Sequence, residues 1–64
     1  MTIKDLKKGD WFTLKPIANP TERQVYIRGD YDRETKKYAA AHWDDVNDER
    51  MLKGSTEVFT DFTF

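Results

Sequence analysis

The apolar residues of this 64-residue chain are arranged in short alternating runs, a pattern typical of half-buried β-strands. The last twelve residues hold three of the four phenylalanines. One face of a strand in this segment would carry Val58, Thr60, Phe62 and Phe64. Because a frayed segment gains nothing from aromatic side chains, we expect it to be docked as the closing strand of a small β-domain.

The first residues predict one helical turn. Thr2 and Asp5 have the spacing of a capping box, so the turn should start there and run through Lys7. Gly9 follows, and glycine readily takes the left-handed backbone conformation that ends such a turn.

Two strands follow by composition and alternation. In the first, Trp11–Lys15, the pattern predicts that Phe12 and Leu14 face the core and that Trp11 faces outward. In the second, Arg23–Gly29, it predicts that Val25 and Ile27 face the core. Tyr26 and Arg28 are then expected to face outward.

The segment Pro16–Thr21 separates these strands. Prolines near both of its ends exclude a central strand, so a loop is expected. Ile17 is either a lid folded over the mouth of a barrel or an exposed contact residue.

A hairpin is predicted next. Asp32 suits the first position of its turn, and Tyr31 and Tyr38 should face each other across it. Residues Tyr38–Trp43 are predicted as a strand, although the three alanines within them also favour helix. Another short strand is expected at Met51–Lys53.

Five short strands separated by turns favour an all-β fold, a small five-stranded barrel occupying residues 1–64 as one domain. The inward positions predicted for that barrel are Phe12, Leu14, Val25, Ile27, Leu52, Val58 and Phe62. Nine aromatic residues supply the buried area that so short a chain needs.

The two ends of the sequence resemble a known group of proteins. Ile3–Phe12, with the sequence IKDLKKGDWF, is similar to the start of small SH3-like barrel proteins encoded by bacterial phages and mobile elements, and Lys53–Val58 is similar to their final turn and strand. The resemblance implies an SH3-like barrel and a phage or mobile-element setting. It implies no site residues.

Composition narrows the functional classes. The sequence has no cysteine, which excludes disulfides and thiolate zinc sites. It has no apolar run long enough for a membrane span and no signal-peptide pattern, so a cytoplasmic protein is expected. Residues 1–37 have nine Lys/Arg and six Asp/Glu (+3), whereas residues 38–64 have two and six (−4), which gives the net charge of −1.

No catalytic, metal or cofactor site is predicted. In the acidic segment Asp44–Glu49, the oxygen ligands of Asp45, Asn47 and Glu49 have the alternating spacing of a calcium loop, but the loop glycine and a correctly spaced final glutamate are missing. His42 could act as a general base beside Asp44 or Asp45. No serine or cysteine nucleophile stands in a suitable setting, so we expect a protein without enzymatic activity.

The sequence therefore favours a binding or accessory module. The leading hypothesis is protein–protein interaction, self-association included, through outward aromatic residues. The alternative is weak single-stranded nucleic-acid binding by tyrosines interleaved with cations (Arg23, Arg28, Arg33, Lys36, Lys37). Carboxylates that lie between these cations in the sequence reduce their positive electrostatic field. The predicted binding residues are Trp11, Tyr26, Arg28, Tyr31 and Tyr38.

Overall fold

A computed structural model describes residues 1–45 and 47–64, and these residues form an all-β fold with one open antiparallel sheet. Its four strands lie side by side in chain order. They are β1 (Trp11–Phe12), β2 (Tyr26–Asp32), β3 (Lys37–His42) and β4 (Glu49–Lys53). Two short 3-10 helices, Ile3–Asp5 and Glu22–Gln24, precede β1 and β2.

The predicted helical turn is confirmed as a single 3-10 turn. The Thr2 N–H donates to Asp5 Oδ2 at 2.9 Å, and the Thr2 hydroxyl lies 3.1 Å from the same oxygen. The backbone hydrogen bond from Thr2 lowers the pKa of the Asp5 carboxyl below its ordinary value of 3.8. The turn ends at Asp5 rather than Lys7, and Gly9 has a φ of +95°.

The predicted hairpin is also confirmed. Asp32 Oδ1 accepts the Glu34 N–H at 3.0 Å, as expected of aspartate at the start of a turn. Tyr31 pairs with Tyr38, and their ring centroids lie 4.6 Å apart. The alanine-rich segment is strand β3, because five of its six residues pair with β4 and five of six with β2.

A β-bulge interrupts β2. Arg28 pairs with Ala40 and Tyr31 with Tyr38, so three steps on β2 match two steps on β3. Gly29 lies in the bulge, where a Cβ atom would come within 3.0 Å of the Ala39 Cβ. The bulge places Arg28 and Tyr31 on the same face although their spacing is odd.

The core lies on one face of the sheet, here called the inner face. Its buried residues are Ile3, Leu6, Phe12, Tyr26, Ala40 and Val58. Leu14, Tyr38 and Leu52 pack against them and are partly buried. The prediction of burial is confirmed for Phe12, Val25 and Val58, whereas Phe62 is only half-buried.

The predicted orientation is wrong for Tyr26, Ile27 and Arg28, whereas Val25, directly before β2, is fully buried as predicted. Tyr26 is 8% exposed, and its ring stacks on Phe12 with centroids 5.6 Å apart. Phe12 and Tyr26 are cross-strand partners, and such partners share a face of the sheet. Ile27 therefore lies on the opposite face, here called the outer face, and is half-buried there.

The C-terminal segment does not form the predicted fifth strand among the described residues. It makes two isolated bridges, Thr2 to Glu57 and Thr13 to Phe59. Thr13 directly follows β1 and is fully buried. Its hydroxyl donates to the Lys15 carbonyl at 2.6 Å. The segment thus connects the N-terminal turn with the chain after β1, and the five-stranded barrel is not confirmed.

Candidate binding surfaces

The five predicted binding residues lie on two different faces. Trp11 is on the outer face and 44% exposed. The other four belong to strands β2 and β3 on the inner face: Tyr26, Arg28, Tyr31 and Tyr38. Trp11 and Tyr26 therefore do not form one patch, and the prediction that both project outward is wrong for Tyr26.

On the outer face, Trp11 belongs to a group of three aromatic rings. Trp43 meets Trp11 edge to face with centroids 6.2 Å apart. Phe64 meets Trp11 at 5.6 Å and Trp43 at 5.0 Å, also edge to face. We call Trp11, Trp43 and Phe64 the outer aromatic cluster, because all three pairs have the favoured T-shaped geometry.

The sheet explains why these rings meet. Trp11 pairs with Ile27 and Ile27 with Ala41, so the three side chains form one row across the outer face. Trp43 comes two residues after Ala41, and its N–H donates to the Val25 carbonyl at 2.9 Å. The Thr63 N–H donates to the Ala18 carbonyl at 2.9 Å, which holds the C-terminal segment beside this face.

The cluster remains open to solvent. Phe64, like Trp11, is 44% exposed, and Trp43 is half-buried. Asp10 directly precedes Trp11, and Asp44 and Asp45 are the two residues after Trp43; no lysine or arginine lies within two residues of either tryptophan. All three aspartates are exposed, so the chain next to Trp11 and Trp43 carries exposed carboxylates.

Sequence reasoning missed Trp43 and Phe64. The signal for Trp43 was its position two residues after Ala41, which extends the outer face of β3 by one step. No comparable signal marked Phe64, because its position depends on the hydrogen bond between Thr63 and Ala18 rather than on strand alternation.

The inner face brings together the remaining predicted residues. The Arg28 guanidinium carbon lies 4.5 Å from the centroid of the Tyr38 ring, within the range of cation–π attraction. Arg28 Nη1 also donates to the Gly29 carbonyl at 2.7 Å, and its Nε is buried without a hydrogen-bond partner. Arg28 is thus engaged with Tyr38 and with the Gly29 carbonyl and is half-buried. Tyr31, 41% exposed, has the most exposed ring of this group, although one side of it packs on Tyr38.

A groove of about 210 Å³ lies at the edge of the inner face. It is lined by Leu14, Lys15, Ile17, Arg23, Gln24 and Tyr26. Ile17 is half-buried there. The groove is smaller than the roughly 300–1,000 Å³ typical of small-molecule sites.

The His42 side chain packs against the core residue Tyr26 and lies near Asp48 rather than beside Asp44 or Asp45. Its ring lies 4.4 Å from that of Tyr26, and its Nε2 lies 3.4 Å from Asp48 Oδ2. Over residues 1–45 and 47–64, no group of three or more acidic or histidine side chains is placed to hold a metal ion. The acidic segment considered for calcium contains Val46, which is outside the described residues.

Comparisons with known proteins add no family to this picture: no family model, curated protein or solved structure matches the chain. The described part of the chain has no helix long and apolar enough to span a membrane.

Proposed function

We propose that this chain is a small non-enzymatic binding module that docks a protein partner on the outer aromatic cluster. The observation that carries the proposal is the three-ring group itself, with Trp11 and Phe64 each 44% exposed. Tryptophan and other aromatics are enriched at the energetic centres of protein interfaces. An exposed group of them on one face of a folded domain is typical of an interaction site.

The exposed carboxylates that neighbour Trp11 and Trp43 in the sequence favour a partner with positive charge. Asp44 and Asp45 follow Trp43 directly, and Asp10 precedes Trp11. A complementary segment would place an apolar side chain against the rings and lysine or arginine near these carboxylates. Arginine is particularly suitable, because it can both stack on an aromatic ring and pair with a carboxylate.

The SH3-like barrel and its phage or mobile-element setting remain part of this proposal. Support for the barrel comes from Thr56–Phe59, which bonds to Ile3 on one side and to Thr13 on the other. These backbone bonds support the proposal that the segment acts as a fifth strand.

The alternative is single-stranded nucleic-acid binding on the inner face, where Tyr31 would be the stacking platform. Arg33 and Lys36 lie exposed in the adjacent turn. We rank this alternative second because Arg28 and Tyr38 are engaged with each other. Only Tyr31 then presents an exposed ring among the residues predicted for that role.

The test is a selection from a displayed library of random peptides, followed by affinity measurements. We expect enriched peptides to combine an aromatic or large aliphatic residue with lysine or arginine. Trp11→Ala should abolish their binding, whereas Tyr31→Ala should retain it. Tyr31 is the matched control because it is an aromatic residue of similar exposure on the other face. Circular dichroism checks that both variants fold.

An oligothymidine strand serves as the second probe. Binding that depends on Tyr31, survives Trp11→Ala and falls steeply with salt would contradict the proposal and favour the nucleic-acid alternative. Peptide binding that is equal in wild type and Trp11→Ala would also contradict it.

A further inference from the structure

Strand β4 is the last strand at one side of the sheet, and its edge opposite β3 faces no other strand of the described chain. The His42 N–H donates to the Asp48 carbonyl at 3.2 Å, which identifies this pair as hydrogen-bonded. Bonded and non-bonded pairs alternate in an antiparallel ladder. Arg50 and Leu52, which pair with Ala40 and Tyr38, therefore bond to β3.

The backbone groups of Glu49, Met51 and Lys53 then point away from β3. Along residues 1–45 and 47–64, the one backbone hydrogen bond outside the strand ladders that involves these groups runs from the Thr56 N–H to the Lys53 carbonyl, at 2.9 Å. The N–H groups of all three residues and the carbonyls of Glu49 and Met51 form a free row. Such a row is a template for another strand.

We propose that β4 pairs antiparallel with β4 of a second copy of this chain, with Met51 opposite Met51 at the two-fold axis. In this register Met51 exchanges both backbone bonds with its counterpart. The Lys53 N–H reaches the Glu49 carbonyl of the second copy, and symmetry repeats this bond. The free groups of one edge thus satisfy those of the other, except the Glu49 N–H, which faces the Lys53 carbonyl that already accepts from Thr56.

Charge selects this register over its neighbours. With Met51 on the axis, Glu49 lies opposite Lys53 of the second copy, and opposite charges across a strand pair stabilise it. An axis at Glu49, Arg50 or Lys53 would instead place like charges opposite each other. An axis at Leu52 would place Glu49 opposite Ser55 and lose both ion pairs.

The side chains agree with this arrangement. Met51 is 41% exposed and lies on the outer face with its partner Ala39. Two methionines meeting at the axis would cover apolar surface on both copies. A strand pair of this length buries less than the roughly 1,600 Å² of a standard interface, so the dimer should be weak, with a dissociation constant of about 0.1–1 mM.

Two measurements test the inference on the wild-type chain over a concentration range reaching about 1 mM. Sedimentation equilibrium should show dimers at the upper end. Amide hydrogen exchange at Met51 and Lys53 should slow as the concentration rises, while exchange at Arg50 and Leu52 should be slow throughout. A chain that is monomeric at every concentration, with exchange at Met51 independent of concentration, overturns the inference.

Variants identify the edge. Met51→Pro removes an N–H that points away from β3, which an edge position tolerates, and it should abolish the dimer. Glu49→Lys alone should weaken the dimer roughly tenfold or more, because both ion pairs become repulsive. Glu49→Lys combined with Lys53→Glu should restore it, since the charges are only exchanged. A dimer unchanged by Glu49→Lys contradicts the proposed register even if Met51→Pro fails to fold.

This inference is independent of the outer aromatic cluster. Trp11→Ala should leave the dimer intact, and Met51→Pro should leave peptide binding at Trp11 intact. Failure of the inference and failure of the proposed function are therefore distinguishable.

Discussion

Replacing Tyr26 tests the orientation of β2, which decides which aromatic residues are available for binding. Tyr26 is 8% exposed and stacks on Phe12. Truncating a buried aromatic residue to alanine typically costs about 3–5 kcal/mol. A domain of 64 residues has a total stability of about 3–10 kcal/mol, so Tyr26→Ala should remove most of it.

The matched comparison is Trp11→Ala. Trp11 keeps 44% of its surface exposed, so its truncation should cost only about 1–2 kcal/mol. Tyr26→Phe keeps the stacked ring and should remain within about 1 kcal/mol of wild type.

The assay is urea denaturation followed by far-UV circular dichroism, because a tryptophan signal would itself change in Trp11→Ala. The midpoints should fall in the order wild type, Tyr26→Phe, Trp11→Ala, Tyr26→Ala. A Tyr26→Ala variant more stable than Trp11→Ala would refute the orientation of β2 and return Tyr26 to the outer face.

Two further predictions concern the turn and the bulge. The pKa of the Asp5 carboxyl is lowered in the folded state, so its stabilising effect is present above pH 3.8 and is lost as the pH falls through the folded pKa. Asp5→Asn should therefore flatten the fall in melting temperature over that pH range. An unchanged profile would contradict the role of the Thr2 hydrogen bond. Gly29→Ala should lower the free energy of unfolding by about 1–3 kcal/mol, because the added Cβ meets Ala39. In a double-mutant cycle measured by thermal melting, Ala39→Gly should recover part of that loss. Additive effects of the two substitutions would contradict the close approach.

Local features of the fold could be predicted from the sequence because each has a local cause. The Thr2–Asp5 turn depends on one side chain three residues away, and the hairpin depends on Asp32. The pairing of Tyr31 with Tyr38 follows from the length of that turn. Each of these features is determined within about ten residues of chain.

The predictions that were wrong concern features that depend on residues distant in the sequence. Alternation shows that Tyr26 and Ile27 face opposite ways, but the pairing with Phe12 decides which of them is inside. The bulge at Gly29 changes the parity of β2, which alternation alone does not reveal.

The prediction of the candidate site was wrong in part for the same reason. Trp11 was predicted to face outward and does so, yet its companions Trp43 and Phe64 come from the end of β3 and from the C-terminal segment. Tertiary hydrogen bonds at Val25 and Ala18 position these segments.

The central claim is that the outer aromatic cluster is the binding surface, and NMR tests it most directly. Both tryptophans of the chain, Trp11 and Trp43, lie in the cluster, so their two indole N–H signals report on it alone. During titration with a library-selected peptide, we predict that both signals shift together while the backbone amides of Tyr31 and Tyr38 stay in place. Largest shifts at Tyr31 and Tyr38, with the indole signals unmoved, would contradict the claim.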